Sequence, residues 1–468
     1  MHNELLRFGG GGETSVGPFV LGIVLLAAVL MFVLPRKHLF FVFIACAMLI
    51  PFRERIVFLG LHLMMLRVML ICAWLRILPE VFQKRPERAV PVRKLDRAIL
   101  LWGLFGTLSF TLLYADMSAL INRIGYLVFS MVGSFFLLRL IIRDKDDVRR
   151  AVKGLAVVAM AVAGIMLFER ITGRGMWTIL EIRDGKYRAQ GPFLHAILAG
   201  TFGGTVLPLF VMLWRKEGAR SLALLGILSS FVMAYTSSTS TALVAVGAGI
   251  LALCAWPLRQ KMRGIRWGIV AVLCGLHLVM KAPVWALISR IDIVGGSSSY
   301  HRYQLVDQFI NRFSEWWLLG VKSTDSWGYD LWDTSNMYVE WGTTGGLLTF
   351  IAFLAIIWSA FRAVGVYRKI AEDKGEDQWE IWCLGSAMFA HSVGFIGSTY
   401  FDQSIVAWMA LLAMIAALSN EYAGVDVASK VKILEGVRAS SQPNRPLRGL
   451  AANSRYAANK NRTTPRTV

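Results

Sequence analysis

Apolar runs of about 15 to 25 residues recur along the chain between short polar connections, a length that suits helices crossing roughly 30 Å of hydrocarbon. They cover 17–34, 39–51, 57–78, 98–115, 122–142, 152–168, 192–214, 221–236, 241–257, 268–288, 345–364, 381–398 and 403–420. No series of ten-residue alternating segments is present, which argues against a membrane barrel. The pattern predicts an all-α polytopic membrane protein of about 12–14 transmembrane helices. The first run follows Glu4 and Glu13 against Arg7 and has no small-residue cleavage site after it, so it reads as a retained helix rather than a signal peptide.

Composition agrees with the pattern. The 468 residues are 56% hydrophobic and 17% charged, with mean hydropathy +0.54, too apolar for a soluble chain of this length. A net charge of +20 raises the possibility of a nucleic-acid partner, but the basic residues lie in clusters between the runs. These are Lys84, Arg85, Arg88, Arg93, Lys94 and Arg97; Arg143, Lys145, Arg149 and Arg150; Arg215, Lys216 and Arg220; Arg259, Lys261, Arg263 and Arg266; Arg368, Lys369 and Lys374. They read as a topology signal that puts those connections in the cytoplasm, with no nucleic acid involved. The polytopic domain is expected over 1–420, with a basic, apolar-poor and disordered cytoplasmic tail over 421–468. Cys46, Cys72, Cys254, Cys274 and Cys383 all fall in apolar runs and are expected to be small core residues.

The opposite face then receives 169–191, the hydroxyl cluster 236–241 and the long loop 289–346, far above the usual connection length. Within that loop Leu305, Val306, Phe309, Ile310 and Phe313 predict an amphipathic helix, with Ser297–Ser299 as caps and a stop near Gly320.

Three groups on this face carry candidate chemistry. In "YRAQGPFLHA", Arg188 and His195 flank Gly191 and Pro192; with Pro192 in a first helical turn, free N–H groups beside Arg188 would make an anion site. The alternative is a lipid-facing arginine and an interhelical histidine. The run "TSSTSTAL", which includes Ser240, offers hydroxyls at a helix start, for capping or for substrate. The loop interleaves Tyr300, His301, Arg302, Trp327, Tyr329, Trp332, Tyr338 and Trp341 with Asp325, Asp330, Asp333, Asn336 and Glu340. Such a mixture suits sugars, whose ring faces stack and whose hydroxyls take directional bonds; an interfacial aromatic belt is the competing reading. "GTTGG" before Leu347 reads as a flexible helix start. No HExxH, CxxC, Walker or GxGxxG motif is present, and the only DxD, Asp144 and Asp146, lies in a basic connection, so neither metal nor cofactor is expected.

The segments "RAQGPFLHA", "TSSTSTALVAVGAGILAL", "SSSYHRYQLVDQF" and "DTSNMYVEWGTTGGLLTFI" resemble, in order and spacing over about 169–351, the bacterial O-antigen ligase and polymerase-like membrane proteins. That resemblance implies a GT-C-like glycosyltransferase of the bacterial inner membrane, active at the periplasmic face. The long periplasmic loop would cap the cavity. Its substrate would be an undecaprenyl diphosphate-linked glycan, with membrane lipids and other polysaccharide assembly proteins as partners. Arg188 and Arg302 match arginines thought to engage the diphosphate, and Asn336 matches the N-x-Y element. Family ligases usually carry a histidine before that asparagine, where this chain has Ser335; their serine-rich motif often holds an arginine, where this chain has Thr239. The missing histidine favours an O-antigen polymerase or an exopolysaccharide-specific relative over a ligase. Candidate general bases are Asp333, Glu340 and His301. Gly191, His195, Ser240, Tyr300, Trp332, Asn336 and Tyr338 are the candidate substrate contacts. A ligase acting on lipid A-core or protein, a flippase or other transporter of lipid-linked glycans, and a non-catalytic assembly subunit are the alternatives; the spans are expected to be nearly free of acids, which disfavours transport.

Overall fold

The structure is a computed structural model describing residues 14–51, 54–58, 61–82, 93–177, 179–183, 185–290, 298–401 and 403–420. The tail 421–468, residues Lys84, Arg85 and Arg88 of the first basic cluster, and Ser297 lie outside the described residues.

The apolar runs fold as helices, giving the architecture of a polytopic all-α membrane protein. Among the described residues seven are long and apolar enough to cross a membrane: Lys94–Tyr114, Met117–Ile141, Lys145–Thr172, Ala196–Trp214, Trp256–Val279, Gly346–Asp373 and Gln403–Asn420. Pro18–Val33, Arg220–Thr236 and Ser240–Cys254 are apolar but shorter. Seven is well below the predicted number. The alternation approaches that number only with these three and with Arg36–Leu49, Met65–Phe82 and Trp379–Gly394, and a helix of 15 residues such as Ser240–Cys254 rises only about 22 Å.

Several boundaries differ from the expectation for local reasons. The run 57–78 begins as an antiparallel hairpin, Arg55–Phe58 with Leu61–Met64, and turns helical only at Met65; Ile56 and Val57 are good strand formers. The run 268–288 breaks at Val279, four residues before Pro283, and resumes as a 3-10 turn, Val284–Arg290. The run 122–142 holds a π-helical stretch, Ile124–Val132, where the Ser130 hydroxyl donates to the Gly125 carbonyl at 2.8 Å. Cys46 and Cys383 are buried as expected, but Cys254 and Cys274 are exposed on their helices, so they are not core residues.

At the centre, Ala196–Trp214 packs on Arg220–Thr236 and Ser240–Cys254 through small residues, among them Gly200, Gly204, Ala242 and Ala245. Trp102, Trp341, Trp408, Phe353 and Phe395 form a buried aromatic core beside them, with Trp102 and Trp341 edge-to-face at 4.6 Å. The basic connections meet at one end of the helices. There Asp147 pairs with Arg36 and Arg150, Glu380 with Arg149 and Lys216, and Lys145 with Glu376. Asp96 and Arg139 make a buried two-pronged pair at 2.7 Å near the same end. Asp96, Glu169 and Glu380 are buried in the end turns of their helices, just outside the predicted apolar runs.

Of the loop, residues 298–346 fold on a small core of Leu305, Phe309, Trp316, Trp327, Leu331 and Val339. Its amphipathic helix is Ser298–Asn311, and a further helix, Met337–Thr343, precedes Gly346–Asp373. "GTTGG" is a tight junction rather than a flexible start: Gly346 has φ +70°, and a Cβ there would lie 2.4 Å from the Leu318 carbonyl oxygen.

Candidate functional site

The hydroxyl run is the hinge of the site. Arg220–Thr236 ends there and Ser240–Cys254 begins, and Ser238 between them takes a left-handed φ of 48°. The run is mostly buried, and its hydroxyls serve the protein: Ser237 Oγ lies 3.2 Å from Thr239 Oγ1, and Thr241 Oγ1 donates to the Gly397 carbonyl at 3.2 Å. Two arginines grip this turn from opposite sides. Arg188 donates from Nε to the Ser237 carbonyl at 3.5 Å, and Arg302 donates from a terminal nitrogen to Thr241 Oγ1 at 3.0 Å. Both are buried, 6% and 8% exposed, although they stand more than a hundred positions apart in the chain. Arg188 also meets the exposed Glu181 at 2.7 Å across its hairpin, so a carboxylate shares its charge. Ser240 is buried in the first turn of its helix.

The segment after Arg188 is held by a residue that sequence reading overlooked. Glu169, wholly buried at the end of Lys145–Thr172, accepts the backbone N–H groups of Gln190 and Gly191 at 3.0 and 2.8 Å. Gly191 takes φ +57°, which reverses the chain toward His195. Pro192 is not in a first helical turn: the helix starts at Ala196 with His195 as its N-cap residue, and the Pro192 carbonyl accepts from Gln403 at 3.0 Å. The helix terminus thus lies beside His195 rather than Arg188. The His195 ring is exposed and edge-on to Phe401 at 5.8 Å.

From the loop, Asp333 reaches the same place. Its pKa is raised chiefly by desolvation and further by Asp330, while the nearby charges of His301, His195 and Arg302 act against the rise. Asp333 therefore lies within electrostatic range of His301, His195 and Arg302. His301 is tied through Nε2 to the Asp330 carbonyl at 2.9 Å. Tyr300 and Trp332 are exposed at the rim. Asn336 and Tyr338 point into the scaffold. Asn336 caps Met337–Thr343, accepting from Tyr338 and Val339, and donates to the Ile396 carbonyl at 3.1 Å, while the Tyr338 hydroxyl donates to Ser392 at 2.8 Å. Burial raises the Tyr338 pKa.

Glu340 sits behind Asp333 and accepts from the Thr334 hydroxyl. Its pKa is raised by desolvation, against the pull of Thr334 and Arg123, with Asp333 adding to the rise. Arg123 is the second overlooked residue. It is buried within Met117–Ile141, donates to Thr344 Oγ1 at 3.2 Å and lies over the rings of Phe110 and Trp341 at 4.6 and 5.4 Å. An arginine at the start of an apolar run is the signal that could have marked it. Among the described residues no three His, Cys, Asp or Glu side chains gather as a metal site. The arrangement offers two guanidiniums for an anionic group, and a carboxylate of raised pKa within electrostatic range of one of them, Arg302, able to accept a proton.

No protein-family model matches this chain, and no curated protein matches it.

Proposed function

We propose that this protein is a GT-C-like glycan polymerase of the bacterial inner membrane, with the hydroxyl-rich end of its helices facing the periplasm. It transfers an undecaprenyl diphosphate-linked oligosaccharide onto a sugar hydroxyl of another lipid-linked repeat unit. The observation that carries the reading is the convergence of Arg188 and Arg302 on the turn 236–241, with Asp333 within electrostatic range of Arg302. In the reaction the acceptor oxygen attacks the anomeric carbon, the bond from that carbon to the diphosphate oxygen breaks, and the electron pair leaves with the diphosphate. Asp333 takes the hydroxyl proton, and its raised pKa suits that task. The arginines offset the charge that grows on the leaving group, a role strengthened by their burial. Glu340 sits one layer back, its carboxylate occupied by Thr334, and so serves as a supporting charge rather than the base.

The test is a reconstituted reaction. Purified protein in nanodiscs receives undecaprenyl diphosphate-linked repeat units from its host, and products are resolved by length. A ladder lost in Arg302→Ala supports the polymerase. Transfer seen only after adding a lipid A-core acceptor would make the protein a ligase. Translocation of the lipid-linked unit without any transfer would make it a flippase.

A further inference from the structure

The loop sorts its aromatic residues into two sets. Trp316 and Trp327 are buried, and their indole N–H groups are held inside the fold, by the Phe309 carbonyl at 2.7 Å and by Glu315 at 3.0 Å. Trp332 is 67% exposed and Tyr329 94%. The residue that divides the sets is Asp330, whose left-handed φ of 61° turns the chain so that Leu331 enters the loop core while Tyr329 and Trp332 stay outside. Aspartate tolerates that conformation better than most residues.

Asp330 is bonded from two sides. Its Oδ1 accepts the Trp332 indole N–H at 2.8 Å, and its carbonyl oxygen pairs with His301 Nε2 at 2.9 Å. Trp332 is therefore an exposed ring held in one orientation by a protein carboxylate. A belt tryptophan would leave its N–H for lipid headgroups. Tyr300, the residue before His301, is also exposed, at 57%. Asp333 follows at the next position and leads to Arg302. An exposed indole face with a carboxylate at its edge is what a pyranose ring requires, stacking on its C–H face and hydrogen bonds to its hydroxyls.

We propose that Trp332, oriented by Asp330, is a sugar-stacking subsite for the acceptor glycan, outside the reacting centre, with the exposed Tyr329 and Tyr300 next in sequence to Asp330 and His301. It rests on the polymerase reading for its place in the reaction, but not for its existence. By holding the acceptor repeat unit at each transfer, the subsite sets product length. Prior anchoring of the indole lowers the ordering cost of binding.

Two readouts separate the subsite from the polymerase reading. The first is binding of the released, lipid-free repeat-unit oligosaccharide to the full-length protein, by saturation-transfer NMR; the second is the product ladder. Trp332→Ala is expected to weaken oligosaccharide binding about tenfold, a loss of the size that one stacked ring provides, and to shorten the ladder. Trp332→Phe should restore most of both. Asp330→Gly keeps the backbone turn but removes the anchor, and should weaken binding about threefold. Because Trp332 is exposed, the size-exclusion profile of Trp332→Ala should match that of the parent protein. Binding unchanged in Trp332→Ala, or no binding by the parent protein, overturns the subsite. Trp332-dependent binding without any ladder keeps the subsite and overturns the polymerase.

Discussion

At the basic end of the helices, Asp96 and Arg139 meet through two bonds of 2.7 Å, and Glu380 is shared by Arg149 and Lys216. At the opposite end, Arg302 rests on the Thr241 hydroxyl, Arg188 on a carbonyl and an exposed glutamate, and Arg123 on a hydroxyl and two aromatic faces. The first set of charges joins helices to helices. The second set is held by hydroxyls, a carbonyl, aromatic faces and one exposed glutamate, and the carboxylates near it, Asp333 and Glu340, have pKa values shifted upward. On the proposed reading, charge at one end serves assembly and at the other serves the reaction.

Substitutions at the two ends should therefore fail differently. The largest effect expected is on product: Arg302→Ala and Arg188→Ala each abolish long polymer in cells lacking the native gene, while protein in the membrane stays at the parental level. Arg→Lys should recover little, because an ammonium does not reproduce the planar fork. Long-chain polymer in both alanine variants would remove the contrast altogether.

Asp96→Ala at the basic end should cost about 3–5 kcal/mol by stranding Arg139 in a buried position. It should show as low protein yield and a lowered unfolding temperature in detergent, with the specific activity of the surviving protein near normal. A stable variant without activity would instead place Asp96 in the reaction.

Smaller again is the effect of Glu169→Ala, which leaves the Gln190 and Gly191 N–H groups without their acceptor at about 1–3 kcal/mol. Activity should fall with it, since that turn positions Arg188 and His195. Activity that survives intact despite the lost stability would separate Glu169 from the site.

The pH dependence follows from the raised carboxylates. A carboxyl group whose folded pKa lies above its unfolded value is most stabilising in its protonated form, so that stability is present at low pH and is lost as pH rises through the folded pKa. Glu340→Gln should thus raise the neutral-pH unfolding temperature and flatten its fall above the ordinary carboxylate range, near pH about 4. Transfer should rise with pH through the Asp333 ionisation and vanish in Asp333→Asn. A pH profile unchanged by Asp333→Asn would exclude it as the base. The smallest effect belongs to the half-exposed Arg312–Glu315 pair, 3.0 Å apart, whose removal should change stability by less than about 0.5 kcal/mol.

How much was legible beforehand varies by element. Lys94–Tyr114 and Gly346–Asp373 follow from their apolar runs, and the helix Ser298–Asn311 from its spacing of Leu305 and Phe309. The hairpin 55–64 was hidden because an apolar run of that length does not distinguish a strand pair from the start of a helix. Arg188, Arg302 and Asp333 stood out as polar residues near apolar runs. Asn336 and Tyr338 stood out equally, yet their polar atoms are engaged with residues 392 and 396, far along the chain. Glu169 and Arg123 look like helix-end and run-start exceptions until their partners, Gly191 and Thr344, are seen beside them.

The sequence by itself determined the solvent each segment requires, because hydrophobic length and the clustering of lysine and arginine act locally and additively along the chain. It also determined which residues were chemically able to serve a site. Only the tertiary structure decided which of them meet: Arg188 and Arg302 on one turn, Asp333 within electrostatic range of both histidines, Trp332 outward and Trp341 inward. Those outcomes depend on long-range packing and on the obligation of every buried polar group to find a partner, and neither is written in any single stretch of the chain.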